Sequence, residues 1–179
     1  MKEISLQAER AEILAVARSW FNRIMALPTD VRADVKQRTG IQVLVHNLDT
    51  RELINASIGE PSERAVFYAA EKAVRSELYE EKTSEDSADP ELCRYPGSVT
   101  FSYHKVSIQA SISELKSEEE VLIAVMILSY IFQYPPASIC AQLISENSEL
   151  PDAAFDEDNY LYEFFHSEEV SDVINLQKL

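Results

Sequence analysis

The chain has 179 residues, 46% hydrophobic and 26% charged, which suits one folded domain with a sizeable core and excludes wholesale disorder. Asp and Glu number 31 against 16 Lys and Arg, a formal charge of −15 at pH 7 that excludes nucleic acid and anionic membrane surfaces as expected partners. No run approaches the roughly 20 apolar residues of a spanning helix. Met1-Lys2-Glu3-Ile4 opens no signal-peptide core, so the expected location is the cytoplasm. Cys93 and Cys140 stand far apart without metal-type spacing, and free thiols are expected there.

From residue 5 to 27, Ile13, Val16, Ala17, Trp20, Phe21 and Ile24 recur at helical spacing and stop before Pro28, predicting an amphipathic first helix. Ile41-Gln42-Val43-Leu44-Val45, the turn residues Asn47-Leu48-Asp49-Thr50 and Leu53 to Ile58 then predict a β-hairpin. Pro61-Ser62 opens a second helix, expected over 62–81. Its rows Ala65/Ala69/Ala73 and Val66/Ala70/Val74 make a small-residue face for a sheet. Residues 82–90 are polar and acidic, which predicts a solvated loop.

In the second hairpin Val99, Phe101 and Tyr103 alternate with polar residues, as do Val106, Ile108, Ala110 and Ile112. A two-residue tip at His104-Lys105 sets Tyr103 against Val106, Phe101 against Ile108 and Val99 against Ala110, although this pair departs from the Asn-Gly preference of such turns. Ser117 with Glu120 reads as a capping box opening a long apolar helix that ends before Pro135-Pro136. The order helix, hairpin, helix, hairpin, helix predicts an α+β domain over 1–134, an antiparallel sheet packed by helices. Residues 135–179 form an acidic, aromatic C-terminal appendage. Its Tyr160, Tyr162, Phe164 and Phe165 must dock on the domain, on a second copy or on a partner protein, and the acidic charge would steer a basic partner towards this end.

Three stretches carry a family resemblance: the hairpin turn His46-Asn47-Leu48-Asp49-Thr50-Arg51-Glu52-Leu53, the helix core Ala69-Ala70-Glu71-Lys72-Ala73, and Tyr95-Pro96-Gly97-Ser98-Val99 running on to Ser117-Glu118-Glu119-Glu120. Over about residues 5–133 the chain resembles the GlcG/HbpS-like, or haem-degrading-domain-like, proteins, which have a profilin-like sandwich. The resemblance implies that fold, a homo-oligomer, and haem or another small ligand as cargo. It also implies a groove bringing together Lys72, Tyr95, Pro96, Gly97 and Tyr103, where Lys72 could meet a ligand carboxylate. Haem would need an axial ligand, and His104 and His46 are the candidates. Ser98 and His104-Lys105 replace glycines usual in the family. The same element order also resembles roadblock and longin-type scaffolds.

No catalytic residue is assigned. GxSxG, HExxH and a phosphate-cradling glycine loop are all missing, and Gly40, Gly59 and Gly97 are isolated. Glu80-Glu81 and Glu118-Glu119-Glu120 read as solvated faces or acids at a helix start, and His166 as solvated. The expectation is therefore a non-catalytic or weakly catalytic small-ligand-binding module. The competing expectation is a protein-interaction adaptor, roadblock-like or chaperone-like, using a sheet edge and the acidic tail.

Overall fold

In the computed structural model, which describes residues 4–28, 30–32 and 38–170, helix α1 (Arg10–Met25) buries Ile13, Val16, Ala17, Trp20, Phe21 and Ile24, the stripe read from the sequence. Met1 to Glu3, cited above against a signal peptide, lie outside the described residues, as does the end of the appendage from 171.

Strand β1 (Gly40–Asn47) pairs with β2 (Leu53–Gly59) on one side and β4 (Val106–Ser113) on the other, and β3 (Ser98–Tyr103) completes an antiparallel sheet of order β2-β1-β4-β3. The second hairpin holds the expected register, with Val99 opposite Ala110, Phe101 opposite Ile108 and Tyr103 opposite Val106. Its tip turns tightly because His104 and Lys105 both take left-handed backbone, φ 47° and 69°. The cross-strand apolar register imposes the turn that Asn-Gly would have favoured. In the first hairpin the Asn47 side chain accepts the N–H groups of Asp49 and Thr50.

Alternation gives the sheet two different faces. Ile41, Val43, Val45, Ile54, Ile58, Val99, Phe101, Ile108, Ala110 and Ile112 enter one core with α1 and α3 (Ser117–Phe132). The other face carries Gln42, Thr100, Gln109, Ser111 and Ser113 beneath α2 (Glu63–Leu78). Such a face needs hydrogen-bond partners. The Gln109 amide donates to the Ala73 carbonyl at 3.1 Å, and the Ser111 hydroxyl to that of Ala69 at 2.7 Å. Buried Ala65, Ala69 and Ala73 let the helix come this close.

Several expectations need correction. Helix α2 stops at Leu78 because Glu80 turns left-handed at φ 57°, and of its two small-residue rows the Ala row is buried while Val66 and Val74 are left exposed. The segment after it is not a solvated loop: the Lys82 carbonyl accepts from Thr100, Ser84 exchanges hydrogen bonds with Ser98, and Thr83 and Ser84 are buried along the β3 edge. Lys116, not Ser117, is the N-cap of α3, with Glu119 accepting the Lys116 N–H at 3.2 Å. Glu119 and Glu120 are buried rather than solvated. The stretch beyond Pro135 docks on the domain, one of the outcomes left open for it: helix α4 (Pro136–Ser145) supplies Ile139, Cys140 and Leu143 to the core, helix α5 (Tyr162–Phe165) supplies Phe165, and the residues between them supply Leu150 and Leu161. Among the described residues no single helix is long and apolar enough to cross a membrane.

Candidate functional site

The start of α2, the end of β4 and the start of α3 converge on a cleft of about 320 Å³ whose walls include Arg38, Arg64, Tyr68, Lys72, Tyr95 and Glu120. Its floor is an ion pair. Lys72 is 1% exposed, with Nζ 2.5 Å from Glu120 Oε2 and 3.0 Å from the Ile112 carbonyl oxygen. Glu120 Oε1 accepts the N–H groups of Glu114 and Leu115 at 2.7 and 2.9 Å, so both carboxylate oxygens are engaged. Burial pushes the Glu120 carboxyl up to about 7, opposed by Lys72 and by the two backbone donors.

The rim carries more charge. Arg38 reaches Glu114 at 3.1 Å, and the Ser62 hydroxyl donates to the other Glu114 oxygen at 2.6 Å while accepting the Ala65 N–H as the α2 cap. Glu114 holds φ 112°, a backbone that an L residue keeps only when its surroundings impose it. Arg38 Nε is buried without a hydrogen-bond partner, and Arg64 makes no ion pair, both among the described residues. Tyr68 and Tyr95 meet edge to face at 5.3 Å, and Arg75 ties the strand approach beneath them by donating to the Tyr95 carbonyl at 2.8 Å.

Of the five residues expected in a groove, Lys72, Tyr95 and Gly97 meet here, whereas Pro96 and Tyr103 do not line the cleft. Lys72 and Tyr95 line the cleft, and Gly97 lies against its floor at φ 121°. A Cβ at Gly97 would stand 2.6 Å from Glu120 Oε2, 2.8 Å from the Ile112 carbonyl oxygen and 2.9 Å from Lys72 Nζ. Gly97→Ala is therefore expected to destabilise the fold by about 2 kcal/mol, from backbone strain and displacement of the ion pair, measured by urea unfolding. Tyr103 does not belong to the cleft: its ring sits 5.1 Å from Tyr134 and 6.3 Å from Phe132. The strand's apolar alternation carries it onto the core face. Sequence reasoning missed Glu120, Arg38, Arg64 and Glu114. For Glu120 a signal was present, since a lysine on a small-residue buried face requires an anion opposite it.

The aromatic tail residues pack on their own domain. Phe165 is fully buried, Phe164 meets Trp20 edge to face at 5.2 Å, Tyr160 donates its hydroxyl to Glu119 at 2.8 Å, and Tyr162 lies beside His166. His166 Nε2 lies 2.9 Å from the Ala154 carbonyl oxygen. A second cleft holds Glu85, Glu118, Glu149 and Asp152, and burial followed by its acidic neighbours pushes Glu85 up to about 7. Among the described residues no three His, Cys, Asp or Glu side chains are placed to hold a metal ion.

Haem needs an apolar slot with an accessible axial ligand. His46 Nδ1 lies 4.0 Å from a Glu77 oxygen at the end of β1, and His104 stands at the exposed hairpin tip against Tyr103. Neither lines either cleft, and both clefts are charged. Neither cleft therefore offers haem an axial histidine. Compared with protein-family models, curated proteins and solved structures, the chain matches none.

Proposed function

We propose that the chain is a non-catalytic binding module for a small organic anion, held by carboxylate or phosphate oxygens between α2 and α3. The observation that carries this reading is the open donor set at the rim. Among the described residues Arg64 makes no ion pair and the buried Arg38 Nε has no acceptor, on a chain of net charge −15. Guanidinium groups present planar pairs of donors matched to such oxygens, the N-terminus of α2 adds its dipole, and Tyr68 and Tyr95 supply an aromatic edge for the ligand's carbon frame. Lys72 contributes through the field it shares with Glu120 rather than as a free donor. The cleft lies where the GlcG/HbpS-like resemblance implies a ligand groove, and kinship with that group in another ligand chemistry is part of this proposal. A cytoplasmic location, supported by two unpaired thiols, is part of it as well.

Citrate and inorganic phosphate, titrated separately into the full-length chain and followed by amide NMR, test the reading. Shifts should concentrate at Ser62 to Ala65 and around Gly97, and Arg64→Ala should weaken binding about tenfold, the loss of one charge-assisted contact. Shifts scattered over the surface, or unchanged affinity in Arg64→Ala, reject the site.

A further inference from the structure

The row Val66, Ala70, Val74 and Leu78, spaced i, i+4, runs along the outer flank of α2 instead of under it. Val66, Val74 and Leu78 are 43%, 64% and 71% exposed, and Phe67 beside them is 65% exposed. Thirteen positions of helix make this stripe about 18 Å long. The flank is fixed by its neighbours. Glu77 reaches Arg51 at 3.0 Å and His46 at 4.0 Å near the β1–β2 turn, whereas Lys72 and Arg75 point the other way, towards Glu120 and the Ser84 and Tyr95 carbonyls. The stripe therefore borders the β2 side of the sheet.

Among the described residues that side is only partly roofed: α1 and α3 serve the opposite face, and α2 alone packs here, over β4, β1 and β3. One helix about 10 Å wide cannot cover four strands spaced about 4.8 Å apart. Leu53, 48% exposed, together with exposed Asn55 and Ser57, marks the uncovered floor on β2. A ledge results, with the α2 stripe as wall and β2 as floor, wide enough for one more helix. Its charged border is acidic: Glu63 and Glu77 flank the stripe and Glu60 closes its start, while Arg51 is already paired with Glu77. A second copy would bring those acids against themselves, with −15 on each side.

We propose that this ledge docks an amphipathic helix of another protein, apolar on one face and flanked by Lys or Arg. The surface is separate from the anion cleft, which lies on the Lys72 flank of α2, and the proposal stands without that reading. The acidic border sets the approach, and the Val66–Leu78 stripe holds the apolar face of the guest.

A fluorescein-labelled peptide of about 14 residues, built from Leu at helical spacing with Lys elsewhere, tests the ledge by anisotropy with the full chain. Saturable binding is expected, and Val74→Glu should weaken it about tenfold. This substitution lies at an exposed position and adds negative charge, so purely electrostatic attraction would tighten instead. Equal or tighter binding by Val74→Glu overturns the proposal, as does equal affinity for the matching Leu/Glu peptide or a lack of saturable binding. Sedimentation showing a dimer that Val74→Glu dissociates would also overturn it, assigning the ledge to a second copy.

Discussion

Lys72→Met is expected to lower the unfolding free energy by about 3–5 kcal/mol at pH 8, the scale for removing one member of a buried ion pair. The methionine fills the channel left by the lysine stem but leaves Glu120, 3% exposed, with no cation. The effect depends on pH. Because burial raises the Glu120 carboxyl from its ordinary 4.5 to about 7, its contribution to stability is complete below about 4.5 and is lost as the pH rises through about 7. Without Lys72 burial is opposed less, the carboxyl titrates higher still, and the loss continues into the alkaline range. The deficit of Lys72→Met relative to the wild type should thus be small near pH 5 and grow towards pH 8, read from urea unfolding at each pH. Adding Glu120→Gln removes the orphaned charge while keeping an acceptor for the Glu114 and Leu115 N–H groups, so the double variant should recover most of the loss at pH 8. A deficit independent of pH, or a double variant no more stable than the single, would sink the idea that Lys72 neutralises Glu120.

The parts of this molecule legible in the sequence are those governed by periodicity. The α1 stripe and the register of the second hairpin follow from spacings of 3.6 and 2, and even the left-handed His104-Lys105 tip follows once the flanking pairs are fixed. Long-range pairing of polar groups was not legible. Two rows of small residues on α2 looked equivalent, and the choice between them fell to partners distant in sequence: Gln109 and Ser111 rise from the sheet to the Ala73 and Ala69 carbonyls, which turns the Ala row down and the Val row out. Glu118-Glu119-Glu120 likewise read as one acidic run, yet Arg32 takes the second acid and Lys72 the third. Thr83 and Ser84 have the composition of a loop and the position of an edge strand, because the free side of β3 offered them a ladder. In the cleft, Lys72, Tyr95 and Gly97 came from the family resemblance. Arg38, Arg64 and Glu114 came only from the fold, since no short-range pattern links positions so far apart.

Glu119→Ala is expected to cost about as much as Lys72→Met at pH 8, again about 3–5 kcal/mol, but with a different pH profile. Glu119 is fully buried and accepts from Arg32 Nε at 2.5 Å and Nη2 at 2.8 Å, from the Tyr160 hydroxyl at 2.8 Å and from the Lys116 N–H. It therefore ties the segment before β1 and the C-terminal tail to the start of α3. Truncation strands the Arg32 guanidinium, 8% exposed, whose pKa is held above its ordinary value chiefly by the Glu119 hydrogen bond. An orphaned carboxyl such as Glu120 can escape by taking a proton, whereas a guanidinium keeps its charge throughout the working range. The deficit of Glu119→Ala should accordingly persist at pH 5, where that of Lys72→Met fades. Arg32→Met combined with Glu119→Ala should restore much of the loss by removing the stranded charge. The tail supplies a second readout: with the Tyr160 contact gone, Tyr160 to Phe165 are held by Phe165 in the core and by Phe164 against Trp20 and Arg23, so amide exchange there should quicken ahead of global unfolding. Amide exchange in β1 and β4, buried in the sheet centre, should follow global stability alone. Equal fading of both deficits at pH 5, or tail exchange no faster than that of β4, would show that Glu119 is not the latch between the tail and the domain.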